Sequence, residues 1–288
     1  MARITIKLIL CLCLAIPVAG QSPIAVFHAN NQAYGPPPAP PSDTDANKYL
    51  FAINNSNPTF ATAVTNLVIS LKSAGIWAKC YAIYPFLGGT AGTQAYNLRD
   101  TMTHKLTFTG GPTHNSTGLV LSGAEYANPA YLIPNAQRDN FHVGVTTPTS
   151  ASGGNFYLLG VFESPSRRTL ILPRSATNTA TYSVHGNGLT NTAAGTSTTS
   201  VGDWLAVRTG AAVTALYRDG VVFNSSALNS QLGTTFQPFY IGALNSGGTA
   251  GGYFTGVITF ASFGQGLNAT EATNRAAAIS IFNTAVGH

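Results

Sequence analysis

Residues 203–224 read DWLAVRTGAAVTALYRDGVVFN, and the fold class follows from this stretch. Trp204, Ala206 and Arg208 alternate with Leu205, Val207 and Thr209, a period of two that sends successive side chains to opposite faces of a strand. Thr209-Gly210 breaks the run, and Ala211 to Arg218 restarts it with β-formers. Asp219-Gly220 then stands between Leu216-Tyr217-Arg218 and Val221-Val222-Phe223. A type I′ turn needs φ > 0 at both central residues, which Asp-Gly adopts at little cost, so the spacing predicts a hairpin.

Further strands are expected on either side of this hairpin, near Gly118–Leu121, Phe141–Thr147, Asn155–Phe162, Arg168–Leu172, Thr179–His185 and Ser197–Val201. Phe239–Leu244 and Tyr253–Gly264 continue the series. Recurrence every 8–12 residues or so is the spacing of a β-sandwich. Only 8% of residues are charged and 44% are hydrophobic, the reverse of a disordered chain. Gly and Asn mark the turns, while Thr, Val, Tyr and Phe fill the strands.

The N-terminal third is organised differently. Met1 to Gly20 has a short basic start, an apolar run and small residues at Ala19-Gly20, the pattern of a secretory signal peptide cleaved before Gln21. Residues 21–42 form a short segment and a linker, YGPPPAPPS from Tyr34 to Ser42, whose prolines favour extended polyproline II. A helical lead-in is expected over residues 43–75. Asp43-Thr44-Asp45 supplies N-cap chemistry for one helix, and Asn57-Pro58 opens a second. In that second helix Phe60, Val64, Leu67, Val68 and Leu71 recur at helical spacing, and Gly75 stops it. From Ile76 the period switches to two, predicting a strand through Ile83 and a β domain spanning 76–288. Asn268 and Glu271 make a capping box for a last helix.

Several blocks resemble a known family. The hairpin reading L-Y-R-D-G-V-V after a Trp-led strand is similar to the central hairpin of laminin-G and concanavalin A-like jelly rolls. The helix followed by LKSAGIWAKCYAIYPFLGG (71–89), NLRD (97–100) and KLTFTGGPTHNSTGLVLSG (105–123) resembles bacteriophage tail and structural proteins. So does the closing FYIGALNSGG (239–248) with YFTGVITFASFGQGLNATEATNR (253–275). The resemblance implies a concanavalin A-like lectin/glucanase jelly roll with a helical lead-in and a C-terminal helix. The signal peptide and proline linker depart from a virion protein made in a host cytoplasm.

Catalytic chemistry finds little support. Glycosidases need two carboxylates flanking the scissile bond. Retaining members of the glucanase superfamily carry an E-x-D-x-E type run, whereas Glu125, Glu163 and Glu271 stand alone. Glu163 could meet Asp203 or Asp219 only across strands. No G-x-S-x-G elbow occurs, and the histidines never fall at i, i+2 or i, i+4, so neither a serine nucleophile nor a zinc site is expected. Nine acids in the chain argue against a multi-carboxylate calcium site, leaving a weak one near Asp139-Asn140 or Asp203 as the remaining candidate. Cys80, the one cysteine beyond the leader, reads as a buried, inert thiol. Without Arg3 and Lys7 the balance is 12 basic residues against 9 acidic, with no basic stripe for nucleic acid.

Sugar binding asks for an aromatic platform beside amide or hydroxyl groups. Tyr182, His185 and Asn187 at one loop, and Asn245 with Tyr253 at another, are the candidates, while Trp77 and Trp204 are assigned to the core. Two readings follow. One is a non-enzymatic, secreted or virion-associated structural or adhesive module, a homo-oligomer whose partners are glycans or other proteins of the assembly. The other is a stand-alone carbohydrate-binding lectin, monomeric with a polar, aromatic groove.

Overall fold

The computed structural model describes residues 42–288 apart from 152, 164–166 and 187–191, so the expected leader, most of the linker and Asn187 lie outside the described residues. The described residues belong to the compact unit Pro40–His288. In chain order the lead-in holds α1 (Thr44–Ala52) and α2 (Pro58–Ser73), followed by β1 (Cys80–Tyr84) and a single turn, α3 (Ala91–Gln94). Next come β2 (Thr107–Thr109), β3 (Thr113–Asn115), β4 (Gly118–Ser122), β5 (Tyr126–Asn128) and β6 (Phe141–Thr147). The middle is β7 (Leu159–Glu163), β8 (Arg167–Leu172), β9 (Thr179–Gly186) and β10 (Thr192–Thr196). The central hairpin comprises β11 (Gly202–Gly210), β12 (Val213–Arg218) and β13 (Val221–Ser226). The chain closes with β14 (Tyr240–Ile241), β15 (Leu244–Ser246), β16 (Thr249–Gly251), β17 (Thr255–Ile258), β18 (Phe260–Gly264) and α4 (Ala269–Val286).

The protein is mostly β, a sandwich of two main sheets. One sheet runs β1-β18-β6-β11-β12-β13, antiparallel throughout. The other runs β10-β9-β8-β7-β14-β5-β2, with the β15–β16 hairpin attached to β7. A small third sheet joins β17, β4 and β3.

The register of β11 explains its sequence. Trp204 and Ala206 point into the sandwich, against Tyr182, Val184 and Ile171 of the larger sheet. Leu205 and Val207 point the other way, into a second core with Val64, Leu67, Val68, Ile279 and Phe282 of α2 and α4. Both faces of the six-stranded sheet are therefore buried, which is why β11 is hydrophobic almost continuously. The lead-in helices share that second core and form a third layer on the sheet, rather than an appendage to it.

Local signals held where a named chemistry stood behind them. Asp219 and Gly220 have φ of 53° and 77°, as the type I′ turn requires. A Cβ on Gly220 would lie 2.9 Å from the Cα of Thr273, whose hydroxyl donates to the Gly220 carbonyl at 2.8 Å, so the turn docks beneath α4. Asp43, Asn57 and Asn268 cap their helices, the last in a capping box with Glu271.

Five strand expectations are corrected. Trp77–Lys79 form a 3₁₀ turn, so β1 begins only at Cys80; the alternation from Ile76 misled because Trp77 is buried in a turn. Ser197–Val201 is a loop, and the strand lies just before it as β10. There the Ser197 hydroxyl donates to the Thr199 carbonyl and the Thr199 hydroxyl accepts from the Val201 N–H, local bonds that compete with a ladder. Asn155–Phe162 becomes strand only from Leu159. Phe239–Leu244 is split into β14 and β15 at Gly242, where φ is 86°, and the Tyr253–Gly264 run is split into β17 and β18.

Candidate functional site

All nine carboxylates fall within the described residues, and each has a partner. Asp43 and Asp45 hold Lys72 at 2.7 Å each. Glu271 holds Lys79 at 2.6 Å. Asp100 accepts from the Met102 N–H and the Thr103 hydroxyl, and Asp139 meets Arg138 at 3.3 Å. The Ser122 hydroxyl, with the N–H groups of Ser122, Gly123 and Ala124, draws Glu125 down to about 2 despite its burial. Glu163 accepts from the N–H groups of Phe236 and Gln237 and pairs with Arg167 at 3.2 Å.

The remaining two, Asp203 and Asp219, line one groove of about 540 Å³, between the start of β11 and α4. Their chemistry is nonetheless that of a joint. Arg275, on α4, reaches both oxygens of Asp203 at 2.9 and 2.6 Å, and the Thr146 hydroxyl adds a bond at 2.8 Å. Asp219 accepts from the Asp203 N–H at 2.8 Å and lies 3.6 Å from Arg218. An acid that protonates a leaving group needs an oxygen free to carry a proton. Both Asp203 oxygens are engaged by a guanidinium that pins α4 to the sheet. Glu163, on the other sheet, does not line this groove.

The calcium candidates are likewise occupied by protein groups: Asp203 by Arg275, and the Asn140 side-chain oxygen by the Gly266 N–H at 2.8 Å. Among the described residues no group of three or more His, Cys, Asp or Glu side chains could hold a metal ion. Cys80 is buried, and desolvation pushes its thiol up to about 12.

Of the expected sugar-binding residues, three sit inside the molecule. Tyr182 is fully buried in the sandwich core, its hydroxyl beside Thr214 at 3.4 Å. His185 is fully buried at an irregular point of β9 with φ of 46°, and burial, with Arg167 and Arg208 nearby, pushes its imidazole down to about 4. Asn245 is buried too: its amide donates to the Pro238 carbonyl at 2.7 Å and accepts from the Gly248 N–H at 2.9 Å, fixing the β15–β16 hairpin. These three are corrected to framework residues. Strand-end position in sequence did not reveal the distant groups that pack on them, Thr214 and Asn224 on Tyr182 and Pro238 on Asn245.

Tyr253 is different. It is half-buried, its hydroxyl donates to the Ala250 carbonyl at 3.1 Å, and it lies in a tyrosine cluster. Ala127 and Ile241 face the core, so by alternation Tyr126 and Tyr240 lie on the other side of the nine-stranded sheet, where Tyr126 is half-buried and Tyr240 is buried. Their rings stack at 4.1 Å with 20° between planes. Burial, then Tyr126 and Tyr253 beside it, push the Tyr240 phenol upward. Tyr157 bridges to Tyr253 along the backbone, and its ring lies where a Cβ on Gly252 would be, 2.6 Å away, so glycine is needed there. Phe162, with the Arg168 guanidinium 4.7 Å over its ring, extends the aromatic surface. Tyr126, Tyr157, Phe162 and Tyr240 were not singled out in the sequence; the signal was an aromatic beside an apolar core residue in each short strand.

No protein-family model matches the sequence, and no curated protein matches it. Among solved structures, the chain is similar to domain 4 of AbnA, a GH43 extracellular arabinanase from Geobacillus stearothermophilus, in complex with arabinotriose. The TM-score is 0.52 at 14% identity, covering 69% of this chain and 98% of that one. A Trypanosoma rangeli sialidase gives a TM-score of 0.44 at 11% identity over 74% of this chain and 39% of its own. The binding domain of Paraclostridial Mosquitocidal Protein 1 gives 0.45 at 9%, over 72% and 52%. At these identities the first likeness shows the fold, a β-sandwich domain.

Proposed function

We propose that the chain is a non-catalytic, glycan-binding β-sandwich module, serving as an adhesive part of an exported or virion-associated surface. The observation that carries this reading is the half-buried Tyr126, held by stacking on the buried Tyr240, with the half-buried Tyr253 beside them, on the side of the nine-stranded sheet away from the sandwich core. Aromatic faces present polarised C–H and apolar ring surface to a sugar, and the phenol hydroxyls supply hydrogen bonds at their edge. The engagement of Asp203 and Glu163 by guanidinium and backbone groups supports binding without hydrolysis. The AbnA domain, solved in complex with arabinotriose, is a precedent for a domain of this fold in sugar contact. Export follows from the leader-like residues 1–20, and the assembly role from the phage-tail resemblance.

A glycan array with the purified protein tests the reading, read beside the Tyr126→Ala and Tyr253→Ala variants. Retention of at least one oligosaccharide by wild type, with its loss in both variants, is expected. An array with no retained glycan, or variants that bind as wild type does, would overturn it. Incubation with retained β-glucans should release no reducing ends.

A further inference from the structure

A second pocket lies at the rim of the six-stranded sheet, away from the tyrosine face. It is a shallow, open depression of about 400 Å³ lined by Cys80, Tyr81, Arg99, Asp100, Thr103, His104 and Tyr131. That volume is at the small end of the range for small-molecule sites, roughly 300–1,000 Å³.

The walls are held by one residue. Asn97 is fully buried, and its side-chain oxygen accepts from the N–H groups of Ile83 and Arg99, both at 2.9 Å. Its amide donates to the carbonyls of Tyr81 at 3.1 Å and Thr103 at 3.4 Å. One side chain thus ties β1 to the loop over 97–104, fixing both sides of the pocket. The rings are arranged as well: Tyr81 and Tyr131 lie 6.0 Å apart with 27° between planes, and His104 meets Tyr131 edge-on at 5.0 Å. His104 holds φ of 50°, a conformation costly for a non-glycine residue and concentrated at functional positions. Its carbonyl is locked there by the Tyr84 hydroxyl at 2.6 Å.

Two charged groups complete the rim. Arg99 is fixed by its Nε bond to the Trp77 carbonyl at 3.2 Å and by its stacking 5.2 Å over the Trp77 ring. Each Asp100 oxygen accepts one bond within its own turn, which leaves each a second lone pair. A fixed donor beside a fixed acceptor, next to a tyrosine ring, matches the adjacent hydroxyls and the apolar face of a pyranose.

Building on the glycan-binding reading, we infer that this rim pocket takes a single pyranose unit at a chain end, packed on Tyr81 with Arg99 and Asp100 reaching neighbouring ring hydroxyls. The tyrosine face, being flat, suits the interior of a chain. The protein then holds glycans at two places of different shape.

Saturation-transfer NMR with the methyl glycosides of glucose, galactose, mannose and N-acetylglucosamine tests this on the full chain. The Tyr126→Ala variant, its flat face disabled, should still saturate at least one of them. Tyr81→Ala should weaken that contact about tenfold, the scale of one aromatic contact. His104→Gly is the second variant: glycine relaxes φ of 50°, which offsets the loss of the ring contact with Tyr131, so it should stay folded and, with Tyr131 no longer braced, weaken the monosaccharide signal. Wild type that binds array oligosaccharides but none of the four glycosides would overturn the pocket and leave the tyrosine face standing. Monosaccharide binding unchanged in both Tyr81→Ala and His104→Gly would also overturn it. A protein that binds neither class would sink both readings together.

Discussion

In the six-stranded sheet, Trp204 faces the sandwich and Leu205 faces the helices, so neither side of β11 meets solvent. In the nine-stranded sheet, Ala127 and Ile241 face the sandwich, while on the other side the half-buried Tyr126 stacks on the buried Tyr240. The same period of two thus yields a sealed layer in one place and a partly exposed aromatic surface in the other. What decides between them is the third layer: α2 and α4 seal one sheet through Val64, Leu67, Ile279 and Phe282. A lectin reading that looked to the hairpin sheet would look at a covered surface.

The comparison breaks first, and hardest, at Trp204. It is fully buried, and its Nε1 donates to the Ser200 carbonyl at 2.7 Å. Trp204→Ala should cost about 3–5 kcal/mol, a large share of a typical domain's stability. Urea denaturation would show the midpoint collapse; a melting temperature within about two degrees of wild type would mean the sheet is not sealed there.

Acid should act on the same buried layer. His142 is fully buried on the helix-facing side of β6, and desolvation holds its imidazole down to about 3. Its unfolded form takes up a proton below the ordinary value of 6.5, whereas the folded form resists it to about 3. Stability is therefore fully present above pH 6.5 and falls as the pH drops through that window, by about 1.4 kcal/mol per pH unit for one such group. His185, held at about 4, adds to the slope over the upper part of the same window. Urea midpoints taken from pH 7 to pH 4 should fall steadily, and His142→Asn should flatten part of that fall.

The tyrosine face gives the smallest effect on stability. Tyr126 keeps part of its surface in solvent, so Tyr126→Ala should cost about 1 kcal/mol, mostly the stacking with Tyr240. Thermal melts of this variant beside Trp204→Ala would place the two sheets on one scale. Near-equal losses would erase the distinction between them.

The sequence was most legible where one residue type answers one local demand. Asp219-Gly220 predicted its turn because few pairs accept φ > 0 twice, and Asn57-Pro58 and Asn268-Glu271 predicted helix starts because they satisfy orphan N–H groups. The β-sandwich followed from strand spacing around that hairpin, and the likeness to the AbnA domain agrees with it. Of the proposed tyrosine face, the sequence reading names only Tyr253. Tyr182 and Asn245 looked like loop residues because burial depends on what arrives from distant sequence: Thr214 and Asn224 for the one, Pro238 for the other. Tyr126 and Tyr240 escaped notice because they sit in strands of three and two residues, too short to display a period. The joint between Asp203 and Arg275 spans 72 positions, and nothing local marks either partner.

Hydrogen–deuterium exchange with and without the best-retained oligosaccharide of the array tests the central claim most directly, because it reports where on the fold the glycan rests. Protection is expected to concentrate on segments 126–128, 157–163, 240–241 and 249–254, the outer face of the nine-stranded sheet, with the start of β11 and α4 unchanged. Protection centred instead on Asp203, Asp219 and the first turns of α4 would place the ligand in the carboxylate groove and contradict the account.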